Sequence, residues 1–268
     1  FNRKEETDQM FRIRIQNKKK CIWYCSAVVS FLLFLLLLGW TNHLANTQDA
    51  QQMAGRWSEK KDVAQISCFF SSKAEVTEDT IQSFEYSLKN VLQEASITET
   101  SENPSARLWV DAYSADGKIT LVNGKNTLDA NAIGIGGDFF MFHPLKLITG
   151  AYFSGNDLMQ DYCIIDQDAA WQLFGSNDVV GMTVYIGNVP HIVTGVVQRP
   201  DSRMDKAAGL NSTVVYVSYE TLSAYGTNNG INHYEIVMPN PVDEFAYGKV
   251  KEGIGIDEKN VEIVENSR

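Results

Sequence analysis

The chain has 268 residues, 44% of them apolar, with 23 Lys and Arg against 33 Asp and Glu, a formal charge of −10. That length supports a real core in one large or two small domains, and four cysteines are too few for a disulfide scaffold. The acidic balance, with no sustained basic patch beyond the N-terminus, argues for no nucleic acid among the partners, because such binding rests on neutralising phosphates.

The charge is unevenly placed. Residues 1–25 hold seven basic side chains and three acidic ones, a net of +4, and the remainder carries 16 against 30, a net of −14. Between the two parts runs Cys21 to Trp40, CIWYCSAVVSFLLFLLLLGW, without a charged residue. Twenty helical residues rising about 1.5 Å each cover the roughly 30 Å of a bilayer core. Lys18, Lys19 and Lys20 abut its start and the next basic residue is Arg56, so the positive-inside rule places the N-terminus in the cytoplasm and the rest outside. Trp23, Tyr24 and Trp40 fit interfacial aromatic belts. A cleaved signal peptide is the competing reading. The long basic flank, the long apolar run and His43 at the −3 position of the candidate cleavage site favour an anchor.

These signals divide the start of the chain into a cytoplasmic basic leader (1–20), a transmembrane helix (21–40) and a juxtamembrane stalk (41–61). Leu44, Ala50, Met53, Ala54 and Trp57 give the stalk a weak helical stripe. A strand is predicted from Val63 to Ser71. A helix follows, with Thr77 as N-cap, Glu78 and Asp79 in its first turn and Ile81, Phe84, Leu88, Val91 and Leu92 on one face. Leu108 to Tyr113 reads as a second strand and Asp116-Gly117 as a turn. Asn123-Gly124 signals a hairpin between Ile119–Val122 and Thr127–Leu128.

The middle of the chain, from about 131 to 227, predicts short strands at Tyr162–Ile165, Thr183–Ile186, His191–Val197 and Thr213–Val217. Short helices are predicted at Phe139–Leu147 and Asp168–Phe174. The tail returns to the earlier grammar: a strand His233–Met238, a helix with Asn240 as N-cap and Pro241 at its first position, and a last strand Val261–Val264. The predicted fold class is therefore an α+β extracytoplasmic domain preceded by one transmembrane helix. Its parts are a split β-α-β ferredoxin-like subdomain (62–130 and 228–268) and an inserted mostly-β subdomain (131–227).

Candidate chemistry is sparse. There is no GxxxxGK[ST] phosphate loop, and His43, His143, His191 and His233 are scattered with no HExxH or CxxC, so no metal site is expected from ligand spacing. Gly134 to Gly137 reads as a turn rather than a nucleotide loop. Asp166 and Asp168 fit a helix start rather than a calcium loop, and no GxSxG elbow supports a serine nucleophile. No catalytic, cofactor-binding or metal-binding residue is assigned. Cys68 and Cys163 are expected as buried free thiols rather than a disulfide, and Cys21 and Cys25 as packing residues one helical turn apart. The polar loop Gln198–Asn211 is the candidate surface for partner contact.

A series of segments then resembles a known family. In order they are Gly136-Gly137-Asp138-Phe139-Phe140, Leu147 with Gly150, Cys163-Ile164-Ile165, Ala169-Ala170 with Leu173-Phe174-Gly175, Val180-Gly181, Val184-Tyr185-Ile186-Gly187, and Ile192 to Val197. Their order and spacing resemble the periplasmic core domain of MacB-type ABC transporter permeases, in a superfamily with FtsX, LolC and LolE. MFRIRIQNKKK before the apolar helix resembles the cytoplasmic elbow of those permeases. His191 stands where that family usually has an aromatic residue.

The resemblance implies a Porter-like α/β subdomain with a Sabre-like insertion, and force transmission rather than catalysis. The implied partners are a cytoplasmic ABC ATPase subunit, a second permease copy, membrane lipid, and an extracytoplasmic adaptor or cell-wall protein. The implied roles are peptide or antibiotic efflux, lipoprotein release or control of a cell-wall hydrolase. Such permeases usually carry further membrane helices after this domain, so a fragment of a multi-pass protein is expected. A single-pass ligand-binding or adaptor protein sharing the domain is the alternative.

Overall fold

The computed structural model describes residues 2–46, 49–58, 62–98, 107–199, 207 and 212–266. The chain forms two compact units, residues 1–48 and residues 49–268.

The first unit is one long helix, α1 (Asn2–Asn46). Its stretch Ile22–Leu44 has a mean hydropathy of 2.3, and 23 residues at 1.5 Å each give about 35 Å, enough to cross a bilayer core. It is the one described helix long and apolar enough to do so. The helix continues past Trp40, where the sequence predicted its end. There the Thr41 hydroxyl donates to Leu37 O and Leu38 O at 3.0 Å, a back-bond that satisfies the hydroxyl within the helix.

The second unit begins with a 3-10 turn at Asp49–Gln51 and α2 (Met53–Trp57). It continues through β1 (Val63–Phe70), α3 (Glu78–Glu94), β2 (Val110–Asn123) and β3 (Asn126–Gly137). Next come α4 (Phe139–Phe142), β4 (Leu147–Gly150), β5 (Tyr162–Asp166), α5 (Gln167–Phe174), β6 (Thr183–Ile186) and β7 (Val189–Val197). It closes with β8 (Val214–Ser218), α6 (Tyr219–Tyr225), β9 (Thr227–Asn228), β10 (His233–Pro239), α7 (Phe245–Gly253) and β11 (Val261–Asn266).

The eleven described strands belong to one sheet, whose path is β11-β1-β10-β2-β3-β8-β5-β7-β4, with β6 and β9 pairing off it. The first four strands are antiparallel throughout. Helix α3 links β1 to β2, α7 links β10 to β11, and the two helices pack together against this part of the sheet. Alternation explains the arrangement: Ala64, Ile66, Cys68 and Phe70 on β1 and Tyr234, Ile236 and Met238 on β10 meet Ile81, Phe84, Leu88 and Leu92 of α3. Thr77 starts α3 through a reciprocal capping arrangement with Thr80. The intervening residues Gln65, Ser67 and Glu235 face the other way, yet they too are buried, because α2 and α4 cover that side with Met53, Ala54, Phe139, Phe140 and Phe142.

The rest of the sheet closes on itself. Strand β6 pairs with both β2 and β7, so the pairings β2-β3-β8-β5-β7-β6-β2 form a six-stranded ring. Parallel pairing occurs between β3 and β8 and between β5 and β7.

Several local expectations change. Asp116-Gly117 is not a turn: β2 runs straight through it, and its glycine is required by close approach, since a Cβ at Gly117 would meet Thr227 O of β9 at 2.3 Å. Gly134 to Gly137 likewise lie in β3 rather than in a turn. Helix α4 stops at Phe142 instead of Leu147, because Pro144 forces His143 out of the helical region, at φ −117° and ψ 74°. Helix α7 begins at Phe245, not Pro241. Its N-cap is Glu244 rather than Asn240, whose Oδ1 accepts from Ala246 N at 3.0 Å across the intervening turn. Met53 and Ala54, assigned by sequence to a stalk, are core residues of the second unit, and residues 59–61 of that segment lie outside the described residues. The 130/131 subdomain boundary falls inside β3.

Between α3 and the sheet sits a half-buried acidic group. Tyr113 donates to Glu78 Oε1 at 2.9 Å and Tyr234 to Asp111 Oδ2 at 3.1 Å. Burial, then the neighbouring Asp111, pushes the Glu85 carboxyl up to about 8, and burial raises Asp111 as well. A carboxyl raised on folding binds more protons in the folded than in the unfolded state, so its contribution is greatest below the ordinary 4.5 of Glu85 and is lost as pH rises through about 8. The melting temperature is therefore expected to fall from pH 6 to pH 9. Glu85→Gln is expected to flatten that slope and to raise the melting temperature at pH 9 by a few degrees, roughly 4 °C. Equal slopes for the two proteins would contradict this reading.

A His-His-Glu cluster as candidate functional site

Residues far apart in sequence meet on the side of the sheet covered by α4. His233 opens β10 and Glu235 follows two residues later, so strand alternation points both side chains to one face. His143 arrives on the turn leaving α4, which Phe139, Phe140 and Phe142 anchor in the core. The His233 ring stacks on Phe69, its partner in the β1–β10 register, at 4.7 Å and 16°. The His143 ring lies 4.7 Å from Phe139, and the two imidazoles are 5.8 Å apart.

Glu235 is 4% exposed. Its Oε1 accepts from Ser67 Oγ at 3.0 Å and from Gln65 Nε2 at 3.4 Å, and Asn266 Nδ2 in turn donates to Ser67 Oγ at 2.8 Å. Gln65 is itself held by Met53 N and Ala50 O. The second oxygen, Oε2, is 2.5 Å from His143 Nε2. His233 Nε2 is 3.9 Å from Oε1. Glu235 Oε2, His143 Nε2 and His233 Nε2 are thus shut off from solvent without a hydrogen-bond partner.

Burial pushes the Glu235 carboxyl up, and His143, His233 and Ser67 together more than reverse this, leaving it below its ordinary value. Burial lowers His233 against the attraction of Glu235. The three ligand-capable atoms lie within 4.8 Å of one another, the one such group of three among the described residues.

Two cavities flank this region. One of about 370 Å³ is lined by both imidazoles together with Phe69, Ser114, Asp116, Phe139 and Asn232. A second, of about 430 Å³, has apolar walls from Pro144, Val197 and Val214, with Lys146, Asp166 and Arg199 at its edge. The cavities share Ile133, Leu145 and Tyr216. This face can hold a small apolar molecule beside a cluster of three ligand-type side chains.

Of the other residues singled out by sequence, Asp116 lines the same cavity as the imidazoles, whereas those that follow stay apart from the cluster. Asp166 caps α5 by accepting from Ala169 N at 2.7 Å, and its other oxygen accepts from Val214 N at 3.0 Å. Asp168 pairs with Arg199. His191 is a core histidine, within 3.1 Å of Thr221 Oγ1 and 3.0 Å of Val189 O. Cys68 and Cys163 are free and buried, and burial pushes both thiols up to about 12, out of the reactive range. Most of the loop Gln198–Asn211 lies outside the described residues. The meeting of His143 with His233 and Glu235 escaped sequence reasoning, since about ninety positions separate the two histidines and spacing rules detect only neighbouring ligands.

Comparison with known proteins places this architecture. The family model described as MacB-like periplasmic core domain matches residues 29–263. The macrolide export ATP-binding/permease protein MacB of Chromobacterium violaceum is 32% identical over 99 residues, 36% of this chain and 15% of that protein. Its namesake from Neisseria gonorrhoeae is 33% identical over 85 residues, 31% of this chain and 13% of that protein. The matches thus span less than a fifth of these relatives' length. Among solved structures, the extracellular domain of the noncanonic ABC-type transporter YknZ from Gram-positive bacteria matches 75% of this chain and 99% of its own at 17% identity, with a TM-score of 0.46. The periplasmic region of MacB from Actinobacillus actinomycetemcomitans matches 75% and 88% at 19% identity, also with a TM-score of 0.46. With most of its length matched by the family model, from inside the apolar helix to the last strand, the chain belongs to the MacB-like periplasmic core domain family of ABC transporter permeases.

Proposed function

We propose that this chain is the outer domain and first membrane helix of an ABC permease that converts ATP-driven motion of a separate cytoplasmic ATPase into movement outside the membrane. The observation that carries the reading is the single family match running from residue 29, within the apolar part of α1, to residue 263 in β11. The 268 residues contain no GxxxxGK[ST] loop, so nucleotide hydrolysis is assigned to a part of the transporter outside them. In this reading the basic leader lies in the cytoplasm, residues 49–268 lie outside, lipid surrounds Ile22–Leu44, and a second permease copy completes the machine.

The antiparallel order β11-β1-β10-β2, with α3 and α7 as crossovers, supports a ferredoxin-like subdomain. The closing ring supports a β-rich insertion, and the long β2–β3 hairpin contributes to both parts. The apolar cavity of about 430 Å³ favours a second reading, a membrane-anchored ligand-binding or adaptor protein. Isolation in mild detergent from the native membrane separates the two. The permease reading expects an ABC ATPase to be retained in near-stoichiometric amount with the full-length protein, and its consistent absence after gentle crosslinking would support the adaptor instead.

A further inference from the structure

We propose that His143, His233 and Glu235 form a three-ligand site for Zn²⁺, with one coordination position open to the adjoining cavity. Two imidazole nitrogens and one carboxylate oxygen are donors that suit zinc and leave calcium and magnesium, which prefer all-oxygen shells, poorly served. The three atoms already converge within 4.8 Å. Tetrahedral zinc, with bonds of about 2.0–2.2 Å, holds its ligands roughly 3.3 Å apart. The 2.5 Å contact between His143 Nε2 and Glu235 Oε2 must widen by less than about 1 Å, a small rotation.

The independent observation is the state of the polar atoms. All three candidate ligand atoms are buried and lack a hydrogen-bond partner, a costly arrangement for a protein interior that one divalent cation would satisfy at once. Glu235 is prepared in the manner of a metal-bound carboxylate: Oε1 is held by Ser67 and Gln65 while Oε2 faces His143 Nε2, the neighbouring candidate ligand. Stacking on Phe69 orients the His233 ring, and a tilted contact with Phe139 orients that of His143. Both imidazoles line the cavity of about 370 Å³, so water or a small ligand can reach the fourth position. A zinc ion here would tie the turn after α4 to β10.

The test uses the whole 268-residue chain in detergent, without a polyhistidine tag, stripped with EDTA and then equilibrated with ZnCl₂. The expected result is one zinc per chain by elemental analysis and a melting temperature raised by about 5 °C at saturation. His143→Ala and His233→Ala are expected to lose both effects while keeping the wild-type circular dichroism spectrum, and His191→Ala to keep both. X-ray absorption is expected to show two imidazoles and one carboxylate at the metal. No zinc retained by the wild-type chain, or equal retention in the two alanine variants, would overturn the proposal.

Discussion

Gly155→Ala is expected to destabilise the outer unit by about 3 kcal/mol, a fall in melting temperature of roughly 6–12 °C for a unit of this size. Gly155 lies in the connection from β4 to β5, where Phe153 is buried and Asp157 accepts from Ser154 N at 2.9 Å. Its own N–H donates to Gly137 O at 3.0 Å. A Cβ at this position would lie 2.4 Å from Gly136 Cα, 2.6 Å from Gly136 C and 2.7 Å from Gly137 N. Every one of these atoms is backbone, so no side-chain rotation relieves the overlap. Strand β3 cannot retreat either, because the Tyr113 ring occupies its other side at Gly136, where an added Cβ would meet Tyr113 Cζ at 2.0 Å. The connection must therefore detach, taking Phe153 with it. Thermal unfolding of the full chain in detergent reads the effect, and a change under 2 °C, well below the fall expected for a unit of this size, would refute it.

That packing was not visible in the sequence, and the reason is instructive. Elements whose signal is periodic and local were legible: β1 and β10 from their β-forming runs, α3 from its apolar face and Thr77 cap, and the Asn123-Gly124 hairpin from its turn residues. Glycines misled wherever their purpose was close approach. Gly117 and Gly134–Gly137 read as turns although they lie within β2 and β3, where β9, α6 and the Tyr113 ring need the room. Helix α6 was missed because it follows β8 without a breaker, Ser218 ending the strand and capping the helix at once by accepting from Thr221 N. The same limit applies to the His-His-Glu cluster. His233 and Glu235 share a face by simple alternation, but the placing of His143 against them depends on how α4 packs, a tertiary fact with no local trace.

The family match and the resemblance carried by the residues agree on the family, and the mechanical role proposed above has a measurable consequence. A domain that transmits force must change its local stability or contacts when the ATPase closes, with a coupling free energy of the usual allosteric size, about 1–3 kcal/mol. A sheet in which β2 and β3 run from the four antiparallel strands into the closed ring offers a stiff path for such coupling. Elements at its margins, such as the two-residue β9 and the exposed connection around Leu158, offer places where opening is easy.

Amide hydrogen exchange on the purified permease–ATPase complex tests this most directly, comparing the nucleotide-free state with the state trapped by ATP and vanadate. Segments within residues 49–268 are expected to change their exchange rates by roughly fivefold or more on trapping, although nucleotide binds elsewhere. Identical exchange across residues 49–268 in the two states, with the ATPase subunit itself responding normally, would contradict it.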